Sequence, residues 1–313
     1  MRYQGLSIDD TFCEVVDTYV ARLTLTASTE ALALAAAGFL AAVALAPGSA
    51  LRGGLESPAP AASTPDGRPG MTLLFSGPTA SGLDAFKVAL LDRLDLAPLL
   101  LTCSLFDAGR AAPIEWVVDL AARLARWGDG HEIKETSGER ELIRLPLSVS
   151  DQRLERRTRV VAGVDGALVA FGRSEAACLA GASEAAADVL RLAPGAAVLH
   201  APGGATNVVK CGGATYKGEA STTHEAYCAS LSGHVATSLP PEAVAAIEMT
   251  LLAISMDALR EALRVSIDAF ARTADIVGVS TPFAPVARGG RRIALRELLP
   301  APRAERAKKG GTP

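Results

Sequence analysis

Three stretches of the chain repeat one arrangement of apolar and polar positions. A short apolar run is broken by two to four polar or small residues and followed by an Ala- or Leu-rich stretch of helical length. The first goes from Ala21 to Ala27, through Ser28-Thr29-Glu30, into an Ala/Leu segment. The second goes from Ala167 to Phe171, through Gly172-Arg173-Ser174-Glu175, into an Ala-rich stretch ending near Leu190. The third goes from Glu248 to Ala253, through Ser255-Met256-Asp257, to about Arg272. Each reads as strand, cap and helix. Ser28, Ser174 and Ser255 are placed to accept from the first helical N–H groups, and the acids after them suit the positive helix end.

In chain order, the pattern predicts strands at 20–27, 39–46, 71–76 and 98–103 with helices at 28–38 and 82–94. It then predicts strands at 167–171, 196–200, 247–253 and 275–280 with helices at 175–192 and 256–272. Both halves have the βαββαβ order of a ferredoxin-like unit. The predicted class is therefore α+β, two ferredoxin-like lobes related by duplication, each with helices on one face of an antiparallel sheet. The lobes are placed at 1–146 and 147–300, with a long insertion at 201–246 and a flexible tail at 301–313. Pro47 to Pro69 and Trp127 to Arg144 read as connections, the first ending in the turn signal Thr64-Pro65-Asp66-Gly67-Arg68-Pro69-Gly70. The apolar run from Ala31 to Ala46 is shorter than the ~20 residues of a membrane span. It reads as a buried helix running into a buried strand, and no membrane association is expected.

Composition narrows the picture. A chain of 313 residues fits two domains of roughly 150 residues each. A net charge of −3 argues against a nucleic-acid footprint. The basic stretch Arg303 to Lys309 reads as a solvated end. Cys13, Cys103, Cys178, Cys211 and Cys228 include no C-x-x-C pair, and no secretory signal precedes them. They are expected to be free, mostly buried thiols of a cytoplasmic protein.

The usual chemical signatures are missing. The chain has no phosphate-binding G-x-x-x-x-G-K-[ST], no dinucleotide G-x-G-x-x-G after a strand, no H-E-x-x-H and no G-x-S-x-G elbow. Cys211, His224, Cys228 and His234 match no common zinc spacing, so no metal is expected. The Gly-rich stretch 203–218 could present backbone N–H groups to an anion; on its own it reads more readily as a flexible loop. Glu248 stands where the long insertion enters an apolar strand. Burial there would favour its protonated form and suit it to proton transfer. On pattern alone a surface glutamate is the plainer reading.

Several segments together resemble the formylmethanofuran:tetrahydromethanopterin formyltransferases. They are Asp9-Asp10-Thr11-Phe12-Cys13-Glu14, the strand at 24–27, Thr64 to Gly70, Leu91-Asp92-Arg93, Phe106-Asp107-Ala108 and Gly128-Asp129-Gly130. In the second half they are Thr158 to Gly163, the helix at 176–190, Pro202-Gly203-Gly204, Tyr216-Lys217-Gly218, Ala226-Tyr227-Cys228 and Leu295-Arg296-Glu297-Leu298. They occur in the family's order from Ile8 to Pro300. The resemblance implies two ferredoxin-like lobes and formyl transfer between the amine of methanofuran and N5 of tetrahydromethanopterin, both co-substrates, with no bound cofactor. It also implies a homo-oligomer and, by likeness to bacterial relatives, hydrolase partner subunits in the oxidation of formaldehyde to formate. Glu248 falls on a family glutamate at the start of the strand after the insertion, which makes it the candidate acid/base. Gly203, Gly204, Lys210, Thr223 and His224 become candidate substrate contacts.

The loops depart from the family pattern. Ala46 to Gly54 replaces a Cys-x-x-Glu-Ala-Gly loop, Lys210-Cys211-Gly212-Gly213 stands for Ser-Lys-Val-Gly, and Thr222-Thr223-His224-Glu225 stands for Ser-Thr-Asn-Asp. Pro282 to Gly289 replaces a Gly-rich segment, and exchanging glycine for proline changes the backbone itself. Two readings follow: a divergent active formyltransferase, and an inactive paralogue serving as a pterin-binding or structural subunit. An open cleft with Glu248 at its base favours the first, and one plugged by Pro282 or Pro285 favours the second.

Overall fold

The computed structural model describes residues 1–42, 51–109, 115–200, 207–208, 215–216, 219–220, 225–282 and 290–299. Twelve elements carry the architecture. The first half has β1 (Phe12–Thr26), α1 (Glu30–Ala41), β2 (Arg52–Ala59), β3 (Gly70–Pro78), α2 (Leu83–Leu94) and β4 (Ser104–Asp107). The second has β5 (Arg157–Gly172), α3 (Glu175–Leu192), β6 (Ala196–Leu199), β7 (Ala245–Ala253), α4 (Met256–Arg272) and β8 (Ile276–Ser280). Sheet neighbours run β2-β3-β1-β4 in the first half and β6-β7-β5-β8 in the second.

The two halves share one closed ring of strands. β5 pairs with β1 through Val160↔Ala21 to Asp165↔Val16, and β6 pairs with β2 through Val198↔Leu55 and Leu199↔Gly54. The circuit β1-β3-β2-β6-β7-β5 thus closes on itself, antiparallel throughout. Closure removes the exposed edges that would otherwise invite pairing with other chains.

Side-chain alternation sorts each strand between two environments. In β7, Ile247, Met249, Leu251 and Ala253 pack into a core under α3 and α4, with Ala182, Val189, Leu263 and Phe270. A matching core in the first half joins Leu23, Leu25, Leu73 and Phe75 to Leu40, Phe86 and Leu90. The opposite face of the strands lines the inside of the ring. It holds Val20, Leu74 and Ala197, but also charges. Arg22 grips Glu56 through two hydrogen bonds of 2.6 Å, and Glu56 also accepts from the Gly195 N–H at 2.9 Å. Arg52 donates to Asp165 at 2.7 Å and Ser76 donates to the same carboxylate oxygen at 3.1 Å. Both clusters bridge the two halves. Burial pushes the Asp165 carboxyl above its ordinary range, and Arg52 and Ser76 pull it partly back.

Most predicted elements stand within a few residues of their expected bounds. Helices α3 and α4 are capped by Ser174 and Ser255 as expected, but α1 is capped by Thr29, whose side chain accepts from Leu32 N, not by Ser28. The strand predicted at 39–46 is a correction. Residues 39–41 are the last turn of α1, residues 43–50 lie outside the described residues, and the strand is Arg52–Ala59, inside what read as a connection. Ala and Leu sustain a helix better than they start a strand, so the apolar run carried α1 further. The strand's glycines serve close packing: a Cβ on Gly53 would sit 2.5 Å from the Ala41 carbonyl oxygen, and one on Gly54 2.5 Å from that of Val198. Gly54→Ala is therefore expected to destabilise the fold by about 1–3 kcal/mol. Urea denaturation measures this, and an unchanged midpoint would show that the β2–β6 seam yields freely.

The remaining differences are smaller. The strand expected at 98–103 is a 3-10 turn at Ala97–Leu99 followed by β4, and the polar stretch 127–144 contains the hairpin Ile133–Ser137 with Arg140–Leu145. β1 and β5 are far longer than predicted, because Val16–Ala21 of β1 pairs with Val160–Asp165 of β5 to join the lobes, and the start of β1 pairs with Arg291–Ala294. The Thr-Pro-Asp-Gly-Arg-Pro-Gly turn is scaffold. Asp66 accepts from Thr26 and Arg68, each at 2.8 Å, and Arg68 reaches the Thr102 carbonyl at 2.6 Å and Ser104 at 2.7 Å. The tail at 301–313 lies outside the described residues. Among the described residues no helix is long and apolar enough to cross a membrane.

Candidate active site

Glu248 is buried, with 2% of its surface exposed, in the N-terminal half of strand β7, where Thr250 is the one other polar residue. Its backbone pairs with Val169 of β5 on one side and Asn207 on the other, and Val169 in turn pairs with Ser280 of β8. Directly paired residues project to the same face of a sheet. Glu248, Val169 and Ser280 therefore form one row on the face away from α3 and α4. Two strand spacings, about 10 Å, separate Glu248 from Ser280.

A cleft of about 640 Å³ opens at the Ser280 end of this row. Its walls include Asp9 to Phe12, Glu14, Tyr227, Ser280 to Pro282 and Arg292. The N-terminal segment is drawn there by pairing. Leu6–Ile8 lies parallel to β8 through Ser7↔Gly278 and Ile8↔Val279, and Asp9 N–H donates to the Val279 carbonyl at 3.1 Å. Strand Arg291–Ala294 pairs with the start of β1, and the Thr281 hydroxyl donates to the Phe12 carbonyl at 3.1 Å. The Arg292 guanidinium lies 4.0 Å from the Phe12 ring centroid and 3.7 Å from Glu14.

Tyr227 joins the cleft to the glutamate row. It ends a short 3-10 turn, Glu225–Tyr227, and its ring packs on Phe171 with centroids 5.4 Å apart. Its hydroxyl donates to the Thr281 carbonyl at 3.4 Å and contacts the Ser280 side chain. Burial first, and then the negative charge of Asp9, push the phenol above its ordinary pKa; Glu248 adds to this, and the Ser280 hydrogen bond opposes it. The phenol therefore stays protonated at neutral pH.

The surface-glutamate reading of Glu248 is overturned, since the residue is buried. Gly203, Gly204, Lys210, Thr223 and His224 lie outside the described residues. Pro282 stands in the wall of an open cleft, Glu248 is not among the cleft's lining residues but lies two strands from Ser280, and Pro285 lies outside the described residues. The expectation of five free thiols needs correction: Cys13, Cys103 and Cys178 are free and buried, each pushed up to about 11 chiefly by burial, but Cys228 is disulfide-bonded. Sequence reasoning missed Tyr227, Ser280 and Arg292. Tyr227 belongs to the family-like segment Ala226-Tyr227-Cys228, which was the available signal. Nothing in the sequence marked Ser280 or Arg292, which reach the cleft only through pairing.

These features define a two-lobed α+β protein with a buried carboxylate behind a hydroxyl-lined cleft, an arrangement suited to proton transfer. The chain belongs to the formylmethanofuran-tetrahydromethanopterin formyltransferase family. The family's model of that name matches residues 1–147, and the model of its proximal lobe matches residues 150–298. The chain is 30% identical to a subunit of the formyltransferase/hydrolase complex of Methylorubrum extorquens over 85% of its own length and 86% of that protein. It is 28% identical to the formylmethanofuran–tetrahydromethanopterin formyltransferase of Methanopyrus kandleri over 90% of its length and 94% of that enzyme. The solved Methanosarcina barkeri enzyme superposes with a TM-score of 0.83 at 25% identity, over 96% of this chain and 100% of that one. The formyltransferase/hydrolase complex from Methylorubrum extorquens with methylofuran gives 0.82 at 27%, over 96% and 99%.

Proposed function

We propose that this protein transfers a formyl group between methanofuran and N5 of tetrahydromethanopterin, with Glu248 as the acid/base. The observation that carries this is the burial of Glu248 in the row that leads to an open cleft, within a chain whose two halves match the two lobes of the family. An amine attacking a formyl carbon must shed a proton, and the departing amine must gain one. A carboxylate withdrawn from water can perform both transfers without a metal. Among the described residues no three His, Cys, Asp or Glu gather as a metal site. Gly203, Gly204, Lys210, Thr223 and His224 are carried as substrate contacts on the strength of the sequence alone.

Each lobe is read as a ferredoxin-like unit, supported by its βαββαβ order and by its neighbour sequence of second, third, first and fourth strand. The lobe boundary near 146–147 is supported by the family-model limits at 147 and 150. A homo-oligomer, cytoplasmic and working beside hydrolase subunits toward formate, completes the reading. The Methylorubrum extorquens relative, named as part of a formyltransferase/hydrolase complex, supports the hydrolase partners. The test is formyl transfer from formyl-tetrahydromethanopterin to methanofuran by the purified chain, alone and with hydrolase subunits added. Turnover is expected. A folded protein inactive under both conditions would leave the pterin-binding or structural subunit as the better account.

A further inference from the structure

We propose that Val169 is a positioning residue for formyl transfer: it forms an apolar wall beside the Glu248 carboxylate and thereby sets how tightly that group holds a proton. The inference rests on the formyl-transfer reading and concerns the neighbour of the acid/base, which acts only through it. In the transfer, the attacking nitrogen bonds to the formyl carbon while the carbonyl π pair moves onto oxygen, and its proton passes to Glu248. The oxygen pair then re-forms the carbonyl, the original C–N bond breaks, and Glu248 returns the proton to the departing nitrogen. A glutamate in water, with its ordinary pKa of about 4.3, is a poor carrier for this exchange, because amines hold protons far more tightly. A carrier works best when its proton affinity lies near the working pH. Its surroundings must therefore disfavour the charged form, which is what apolar neighbours do.

Strand β5 supplies such neighbours. Val169 is directly opposite Glu248, and opposed side chains of an antiparallel pair have Cβ atoms about 5 Å apart. The diagonal neighbours on the same face, two residues either side of Val169, are Ala167 and Phe171. None of these three side chains carries a hydrogen-bonding group. Along β7 itself the same-face neighbours are Ala246 and Thr250. Val169 is wholly buried and belongs to an apolar cluster with Phe171 and Ala243, against which Tyr227 and Leu239 pack. It also stands between the carboxylate and Ser280, the polar residue that follows it in the row and lines the cleft. The titratable group that feels the charge of Glu248 is the Tyr227 phenol, which the Asp9 charge reaches as well. That phenol stays protonated at neutral pH and does not compete for the proton there.

The experiment places a hydroxyl in the wall. Val169→Thr keeps the branched shape and adds a donor within reach of the carboxylate, Val169→Ser carries the same donor with less bulk, and Val169→Ile keeps the wall apolar. Each is compared with wild type in the intact protein by the pH dependence of kcat/KM for formyl transfer and by a thermal midpoint. The carboxyl carbon of Glu248 is also titrated by NMR in protein labelled with carbon-13 at the glutamate side-chain carboxyls, its resonance assigned by its loss in Glu248→Gln. A hydrogen bond to the charged form favours that form, so in Val169→Thr the resonance is expected to titrate about one pH unit lower than in wild type. The acid limb of kcat/KM is expected to move with it, and the plateau to fall severalfold, as a weaker base requires. Val169→Ser is expected to shift both in the same direction, and Val169→Ile to leave both in place. A merely structural role would lower the midpoint without moving the titration. A resonance and limb that stay at the wild-type position in Val169→Thr and Val169→Ser, or that move as far in Val169→Ile, would overturn the role of Val169 and leave the formyl-transfer reading intact. Wild type without turnover would overturn that reading, and the resonance would still decide whether Val169 governs the proton affinity of Glu248.

Discussion

Replacing Glu248 by Gln is expected to lower kcat for formyl transfer about a hundredfold or more, the scale of a lost general acid/base. Gln matches Glu in shape and can still accept and donate hydrogen bonds, so the strand pairing with Val169 has no reason to change. What it cannot do is take up a proton from one nitrogen and deliver it to another. The burial of Glu248 sharpens the expectation, because a group with 2% of its surface exposed is poorly placed to have its role taken over by bulk water. Formyl transfer followed in both directions checks the rate, and a thermal denaturation of the same preparation checks the fold. Undiminished turnover by the variant would remove Glu248 from the chemistry and leave its burial to be explained as structure.

The second large effect concerns stability. Arg22→Ala is expected to destabilise the protein by about 3–5 kcal/mol, because it leaves a buried carboxylate without its charged partner. The Glu56 side chain is fully shielded, whereas Arg22 retains 33% exposure, so the stranded charge would be the one that water cannot reach. Replacing both residues by methionine removes the stranded charge along with its partner. Such exchanges of a buried pair for apolar residues are often neutral, and the double variant is expected to recover most of the loss. Urea denaturation of Arg22→Met, Glu56→Met and the double methionine variant forms a closed cycle. A midpoint for Arg22→Ala close to wild type would mean that the Gly195 N–H and the ring's polar interior suffice to hold Glu56. Because Arg22 and Glu56 lie in one lobe and Gly195 in the other, loss of the pair is also expected to loosen the closure of the ring.

Local chemistry was sufficient for much of the fold. Ser174 and Ser255 marked helix starts to the residue, because a cap acts on N–H groups only a few positions away. The alternation of β7 was legible for the same reason, since period two is a property of the strand alone. The duplicated βαββαβ order and the location of Glu248 at the mouth of a strand also came from residues near one another in the chain.

What local pattern could not reveal were the contacts between distant segments. Gly53 and Gly54 read as loop residues, yet they lie in a strand that pairs with β3 and β6, and they are glycine because the Ala41 and Val198 carbonyls approach too closely for a Cβ. The long extensions of β1 and β5 look unremarkable in sequence and exist because each is the other's partner across more than a hundred residues. The same holds for the site. Sequence selected Glu248, but whether it was a surface acid or a buried one depended on its place between Val169 and Asn207 in the folded sheet. Tyr227, Ser280 and Arg292 come together with Asp9 only because β8 pairs with the N-terminal segment and Arg291–Ala294 pairs with β1. The sequence by itself determined the two halves and their helices, and it singled out Glu248. The tertiary structure alone decided the closed ring, the charges sealed inside it and the cleft, because each of these is made by backbone pairing between residues whose separation in the chain leaves no periodic or compositional trace.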